Sequence, residues 1–190
     1  MEEQALSDYK CAQHIIKAAG HCRDPEKIAD ALGIGIEYYD LANLKGMYSS
    51  QNKHRTIFVH EGLSYYGMRF VIAHEIGHDQ KHRTLARSKP LQDLLFFTAT
   101  GKNNTELEAN IIASHILIED SELLNLIREQ RTCQSIAVEL CVPEDLLLIK
   151  MDQMTRLGYY EFQINELYRS PKANYLKDYS CPKSEFDFWE

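Results

Sequence analysis

The pentapeptide His74-Glu75-Ile76-Gly77-His78 constrains this chain more than any other stretch of it. It follows an unbroken apolar run, Phe70-Val71-Ile72-Ala73. Residues 64 to about 82 are therefore expected to form a helix packed into a core, since a surface helix does not need such a run. Residues four apart on a helix share one face, one turn apart. His74 and His78 can thus present two imidazoles to one metal ion, and Glu75 can reach a water on that ion. Glycine costs about 1 kcal/mol in a helix interior. Gly77 therefore suggests a packing or site requirement, such as a facing backbone that a side chain would crowd.

A metal centre of this kind needs a third protein ligand. A third histidine in the extended pattern would require Gly at position 81 and His at 84, where the chain has Lys81 and Thr84. His82 continues the same face but lies another turn along, too far to share an ion with both His74 and His78. The other source is a glutamate from a second helix. Asn103, Asn104 and Thr105 offer N-caps, and acidic residues follow in the first turn. The face that starts at Glu106 continues with Asn110, Ala113 and Leu117, small and apolar enough to press against the first helix. The face from Glu108 carries His115 and Glu119. Glu106 is the expected ligand and Glu108 the second choice, with Asn110 behind Glu106 as a hydrogen-bonding support.

Residues 70–78 and the later run Glu106-Leu107-Glu108-Ala109-Asn110-Ile111-Ile112-Ala113 resemble the ImmA/IrrE metallopeptidases. Upstream, residues 25–34, Leu44-Lys45-Gly46-Met47-Tyr48 and Ile57-Phe58-Val59 fit as well, so the resemblance spans roughly residues 24 to 157. It implies a minimal zincin, with His74, His78 and Glu106 as zinc ligands and Glu75 as catalytic base. It also implies a substrate class: helix-turn-helix repressors of mobile elements or of stress regulons. Ile112 and Glu119 stand where the family usually has Phe and Pro, which bears on the exit from the second helix more than on the chemistry.

The rest of the chain reads as α+β. Helical spacing covers residues 5–20, and Asp24-Pro25 opens a second helix that ends at Gly33. Residues 34–39, 46–50 and 56–60 read as a small three-stranded sheet packed on helices that include the His74–His78 helix, with a turn at 51–54. The C-terminal half is mostly helical. The expected units are a core at 1–130, a helix-turn-helix-like packing unit at 131–158 and an aromatic-rich tail at 159–190. In residues 131–157 the basic Arg131, Lys150 and Arg156 meet four acidic residues, Glu139, Glu144, Asp145 and Asp152. With a net charge of −7 for the chain, direct nucleic-acid binding is not expected. The basic residues Lys81, Arg83, Arg87 and Lys89 read as a solvated loop at the rim of the cleft. No apolar run is long enough to span a bilayer, and no signal peptide is evident. Five scattered cysteines without a Cys-x-x-Cys pair suit reduced thiols in a cytoplasm.

The expected chemistry is peptide hydrolysis assisted by one zinc ion, with manganese or another divalent ion also suited to such ligands. Glu75 takes a proton from water and passes it to the leaving amine. Tyr65, Tyr66, His60 and His82 are candidates for stabilising the oxyanion. The competing expectation is a metal-binding antirepressor or sensor that grips a repressor without cutting it. Both need the ligands, and only hydrolysis needs Glu75.

Overall fold

The computed structural model describes residues 2–51, 54–87, 91–93 and 104–158. Two helices lead, α1 (Glu2–Ala18) and α2 (Pro25–Ala31). The second starts as its sequence dictates. Asp24 accepts a hydrogen bond from the Glu26 amide at 3.1 Å, and Pro25 fills the first helical position, where no N–H is needed.

The three expected strands follow: β1 (Gly35–Tyr39), β2 (Gly46–Gln51) and β3 (His54–His60). β3 is central to them, parallel to β1 and antiparallel to β2. A fourth strand, β4 (Leu91–Asp93), lies in the stretch that the sequence does not divide. It pairs antiparallel with the start of β2, from Gly46 opposite Asp93 to Tyr48 opposite Leu91. Alternation along the strands turns Gly46, Tyr48 and Ser50 of β2, and Ile57 and Val59 of β3, toward the interior.

That face rests on α3 (Tyr65–Ala86). Its N-cap Ser64 accepts from the Gly67 amide at 3.0 Å. The helix runs one turn beyond its expected end, with a break in helical geometry at His82 (φ −125°, ψ 16°). The added turn changes the reading of the basic cluster. Lys81 pairs with buried Asp8 of α1, and Arg83 bonds Asp79 at 2.7 Å, so both bind within the fold. Lys89 lies outside the described residues.

Against α3 lies α4 (Asn104–Leu117), buried from Ala109 to Ile116. It is sandwiched between α3 and the pair α1 and α7. Glu119 forms the N-cap of α5 (Asp120–Arg128), so the chain leaves α4 through a tight turn. α6 (Cys133–Glu139) and α7 (Glu144–Arg156) complete the order. One buried apolar cluster runs through all of this, from Ala12 in α1 to Met154 in α7.

Beside it sits a buried polar knot. Lys150 of α7 donates to His115 Nδ1 of α4 at 2.9 Å and to Asp120 of α5 at 2.5 Å. Tyr9 of α1 donates to the other oxygen of Asp120 at 3.2 Å and stacks edge-on against His115. Lys150, one of the three basic residues counted in the helix-turn-helix-like unit, is thus turned inward. Among the described residues no helix is long and apolar enough to cross a membrane. Cys11, Cys22, Cys133 and Cys141 are free thiols. The aromatic tail at 159–190 and Cys181 lie outside the described residues.

Candidate metal centre

His74 and His78 project from successive turns of α3 with their rings edge-on, centroids 4.7 Å apart. Both are buried. Their Nε2 atoms lie 3.1 Å apart. From the first turn of α4, Glu106 brings Oε2 to 3.4 Å from His74 Nε2 and 3.6 Å from His78 Nε2. These three form a group of potential ligand atoms within 4.8 Å of one another. A tetrahedral zinc with bonds of about 2.0–2.1 Å holds neighbouring ligand atoms about 3.3 Å apart. The observed triangle matches that spacing, so the three donors fit a single divalent ion. Glu106 is about a third exposed, whereas the two histidines are buried.

The approach of α4 depends on small residues. A Cβ on Gly77 would lie 2.8 Å from both Cα and the carbonyl oxygen of Ala109. The facing backbone expected from the sequence is therefore that of Ala109, one turn beyond Glu106.

Each histidine is held from behind. Asn110 Oδ1 lies 2.8 Å from His74 Nδ1. The sequence reading places Asn110 behind Glu106; the contact found here supports His74 instead. An amide oxygen can only accept, so the His74 proton sits on Nδ1 and the Nε2 lone pair points into the triangle. His78 Nδ1 lies 3.0 Å from His82 Nδ1, and His82 Nε2 lies 3.2 Å from Glu108 Oε2. Asn104 donates to the other Glu108 oxygen at 3.1 Å. Glu108, the second-choice ligand, is thus engaged with His82 outside the triangle, because its position two residues on turns it to another face of α4. Burial, with the neighbouring His78, pulls the His82 pKa below its usual value against the opposing pull of Glu108.

Glu75 is fully buried beside His74. Strand β2 starts directly over it: a Cβ on Gly46 would fall 2.5 Å from Glu75 Oε1 and 2.5 Å from Val71 Cγ1. The residue after His78 anchors the helix to the sheet. Asp79 accepts from Tyr48 at 2.5 Å, Arg55 at 3.2 Å and Arg83 at 2.7 Å. Burial and the Asp79 hydrogen bond push the Tyr48 hydroxyl up to about 12, so it remains a donor. Neither Gly46 nor Asp79 stands out by helical or metal-ligand spacing, because each acts through a strand brought in from elsewhere in the chain.

The oxyanion candidates are scattered. His60 Nδ1 accepts from the Leu41 amide at 3.1 Å. His82 is held between His78 and Glu108. Tyr65 and Tyr66 stack edge-on at the exposed start of α3, with Arg69 over the Tyr65 ring.

Comparison with known proteins bears on the whole arrangement. Residues 29–152 match the Peptidase_M78 family, described as the IrrE N-terminal-like domain. That stretch contains both helices of the triangle and all four strands of the described residues. The chain is also similar to an "Uncharacterized immunity region protein 2" of Bacillus phage phi105. The two are 26% identical over 128 residues, which cover 67% of this chain and 78% of the phage protein.

Proposed function

Because the chain belongs to the IrrE N-terminal-like family of metallopeptidases, we propose that it is a zinc-dependent endopeptidase that cuts a helix-turn-helix repressor of a mobile element or stress regulon at a defined site. The observation that carries this reading is the triangle of His74, His78 and Glu106 with Glu75 buried alongside. A zinc ion in that triangle would supply a Lewis acid for the scissile carbonyl and bring the pKa of a water toward about 7.

The chain's own groups do the remaining work. His74, His78 and Glu106 would hold the ion. Asn110 accepts from His74 Nδ1, so that the Nε2 lone pair of His74 faces inward. Glu75 takes the proton of the attacking water and later returns it to the leaving amine. Gly46 leaves the space in which the Glu75 carboxylate lies. The repressor as substrate draws its support from the family and from the phage relative, whose name places it in an immunity region.

The test is incubation of zinc-loaded protein with repressors encoded beside its gene, followed by mass spectrometry. One discrete cut is expected. Glu75→Gln keeps the size and removes the base, so it should retain zinc and repressor binding. Its cleavage rate should fall by about 10²–10⁴-fold, the usual contribution of a positioned general base. Relief of repression without fragments, equal in wild type and Glu75→Gln, would establish a binding antirepressor in place of a peptidase.

A further inference from the structure

We propose that His82 and Glu108 are positioning residues that fix the orientation and tautomer of His78 for the metal. The inference rests on reading His74, His78 and Glu106 as the metal site. It follows from proton bookkeeping along one chain of contacts. Binding a cation through Nε2 requires that His78 carry its proton on Nδ1. That atom lies 3.0 Å from His82 Nδ1. Two ring nitrogens at this distance need one donor and one acceptor, so His82 Nδ1 must accept. Its proton then sits on Nε2, which faces Glu108 Oε2 at 3.2 Å, and a carboxylate accepts. Asn104 donates to the remaining oxygen of Glu108. A single assignment therefore satisfies these three contacts, and it leaves the His78 Nε2 lone pair directed at His74 and Glu106. The opposite assignment puts a proton on His78 Nε2, inside the triangle.

The break in α3 at His82 belongs to the same arrangement: at this residue the backbone leaves helical geometry and the imidazole is 6% exposed, between two helices. His74 obtains the same service from a single residue, Asn110. The two histidines are thus backed by different chemistries, an amide for one and an imidazole–carboxylate pair for the other. Outer partners of metal-bound histidines commonly contribute about 10–100-fold to metal affinity.

The test uses the full chain, His82→Leu, Glu108→Leu and Glu108→Gln, with zinc affinity measured by competition against a chelator and ¹⁵N NMR of the zinc-loaded imidazoles. His82→Leu and Glu108→Leu should weaken zinc by about 10–100-fold. Glu108→Gln, whose amide oxygen still accepts from His82, should recover most of the loss. A slowly exchanging Nδ1–H of His78 is expected in wild type and should disappear in His82→Leu. Melting of the metal-free proteins separates a packing defect from a positioning one, and partly exposed Glu108 gives a variant that does not disturb the core. Unchanged zinc affinity in both leucine variants, or a Glu108→Gln loss equal to that of Glu108→Leu, would overturn the inference while leaving the metal site intact. Failure of the wild-type chain to take up any divalent metal would overturn both.

Discussion

Gly77 and Ala109 touch backbone to backbone: a Cβ on Gly77 would sit 2.8 Å from the Ala109 Cα and carbonyl oxygen, closer than real Cβ contacts come. This crossing sets how far α4 can approach α3. Glu106 lies one turn before Ala109 on α4, and His78 follows Gly77 on α3, so the triangle closes only where the two helices meet this tightly.

Gly77→Ala puts two effects in opposition. Alanine is the better helix former by about 1 kcal/mol, and in an open helix it would stabilise. Here the methyl meets backbone, which cannot rotate away, and overpacking of that kind costs about 1–3 kcal/mol. The expected result in chemical denaturation is net destabilisation, together with weaker zinc binding as Glu106 is pushed outward. A stabilised Gly77→Ala with unchanged zinc affinity would mean that the helices do not pack this closely.

The third ligand can be assigned by comparing two neighbouring glutamates. Glu106 Oε2 lies within 3.6 Å of both histidine Nε2 atoms, whereas Glu108 contacts His82 and Asn104. Glu106→Gln should weaken zinc far more than Glu108→Gln in equilibrium dialysis with metal analysis. Equal losses would place the wrong face of α4 toward the metal.

The sequence makes the local part of this site legible. The four-residue spacing of His74 and His78 needs only helix geometry, and the capping sequence of α2 needs only its own backbone. The choice of Glu106 over Glu108 follows from the small and apolar residues along one face of α4. What local pattern cannot supply is the partner across the fold. Asn110 is recognisable as a supporting residue, but whether it supports Glu106 or His74 depends on the crossing of two helices. Gly46 lies 29 positions before Glu75 in the chain, and only the folding of β2 onto α3 brings them together. β4 is three residues long and gains its pairing from β2, with too little alternation of its own to be read.

Gly46 provides a test of how Glu75 is held. The Cβ of Gly46→Ala would meet the Glu75 carboxylate and the Val71 side chain at 2.5 Å each. At that distance something must give, so the carboxylate shifts or β2 lifts. The triangle is on the other elements, α3 and α4. Peptide cleavage should therefore fall by at least about tenfold, short of or up to the roughly 10²–10⁴-fold that loss of a general base costs, while zinc content stays close to that of wild type. A variant that cuts at the wild-type rate would show that Glu75 does not depend on this strand.

The buried knot at His115 predicts how stability responds to acid. Burial, reinforced by the Lys150 charge, lowers the His115 pKa to about 3, far below the value of about 6.5 for the unfolded chain. Between those values the unfolded state binds the proton and the folded state does not, so stability rises with pH across the window. This contribution is fully present above about pH 6.5 and is lost progressively as pH falls toward 3. At 1.36 kcal/mol per pH unit, it amounts to a few kcal/mol by about pH 4. Asp120, Arg23 and Tyr9 also face the knot. The Asp120 carboxyl is raised by burial but held below its usual range overall by Lys150, so its loss comes lower in pH. Asp145 of α7 acts in the opposite direction. Burial raises its pKa to about 6, which makes the fold gain stability as pH falls through that region. Comparison with His115→Asn removes this opposing effect, because Asp145 is present in both proteins and the asparagine oxygen can still accept from Lys150. Urea denaturation at pH 7 and pH 5 should show a larger loss in wild type than in His115→Asn. Identical slopes in the two proteins would mean that His115 is not held neutral by this environment.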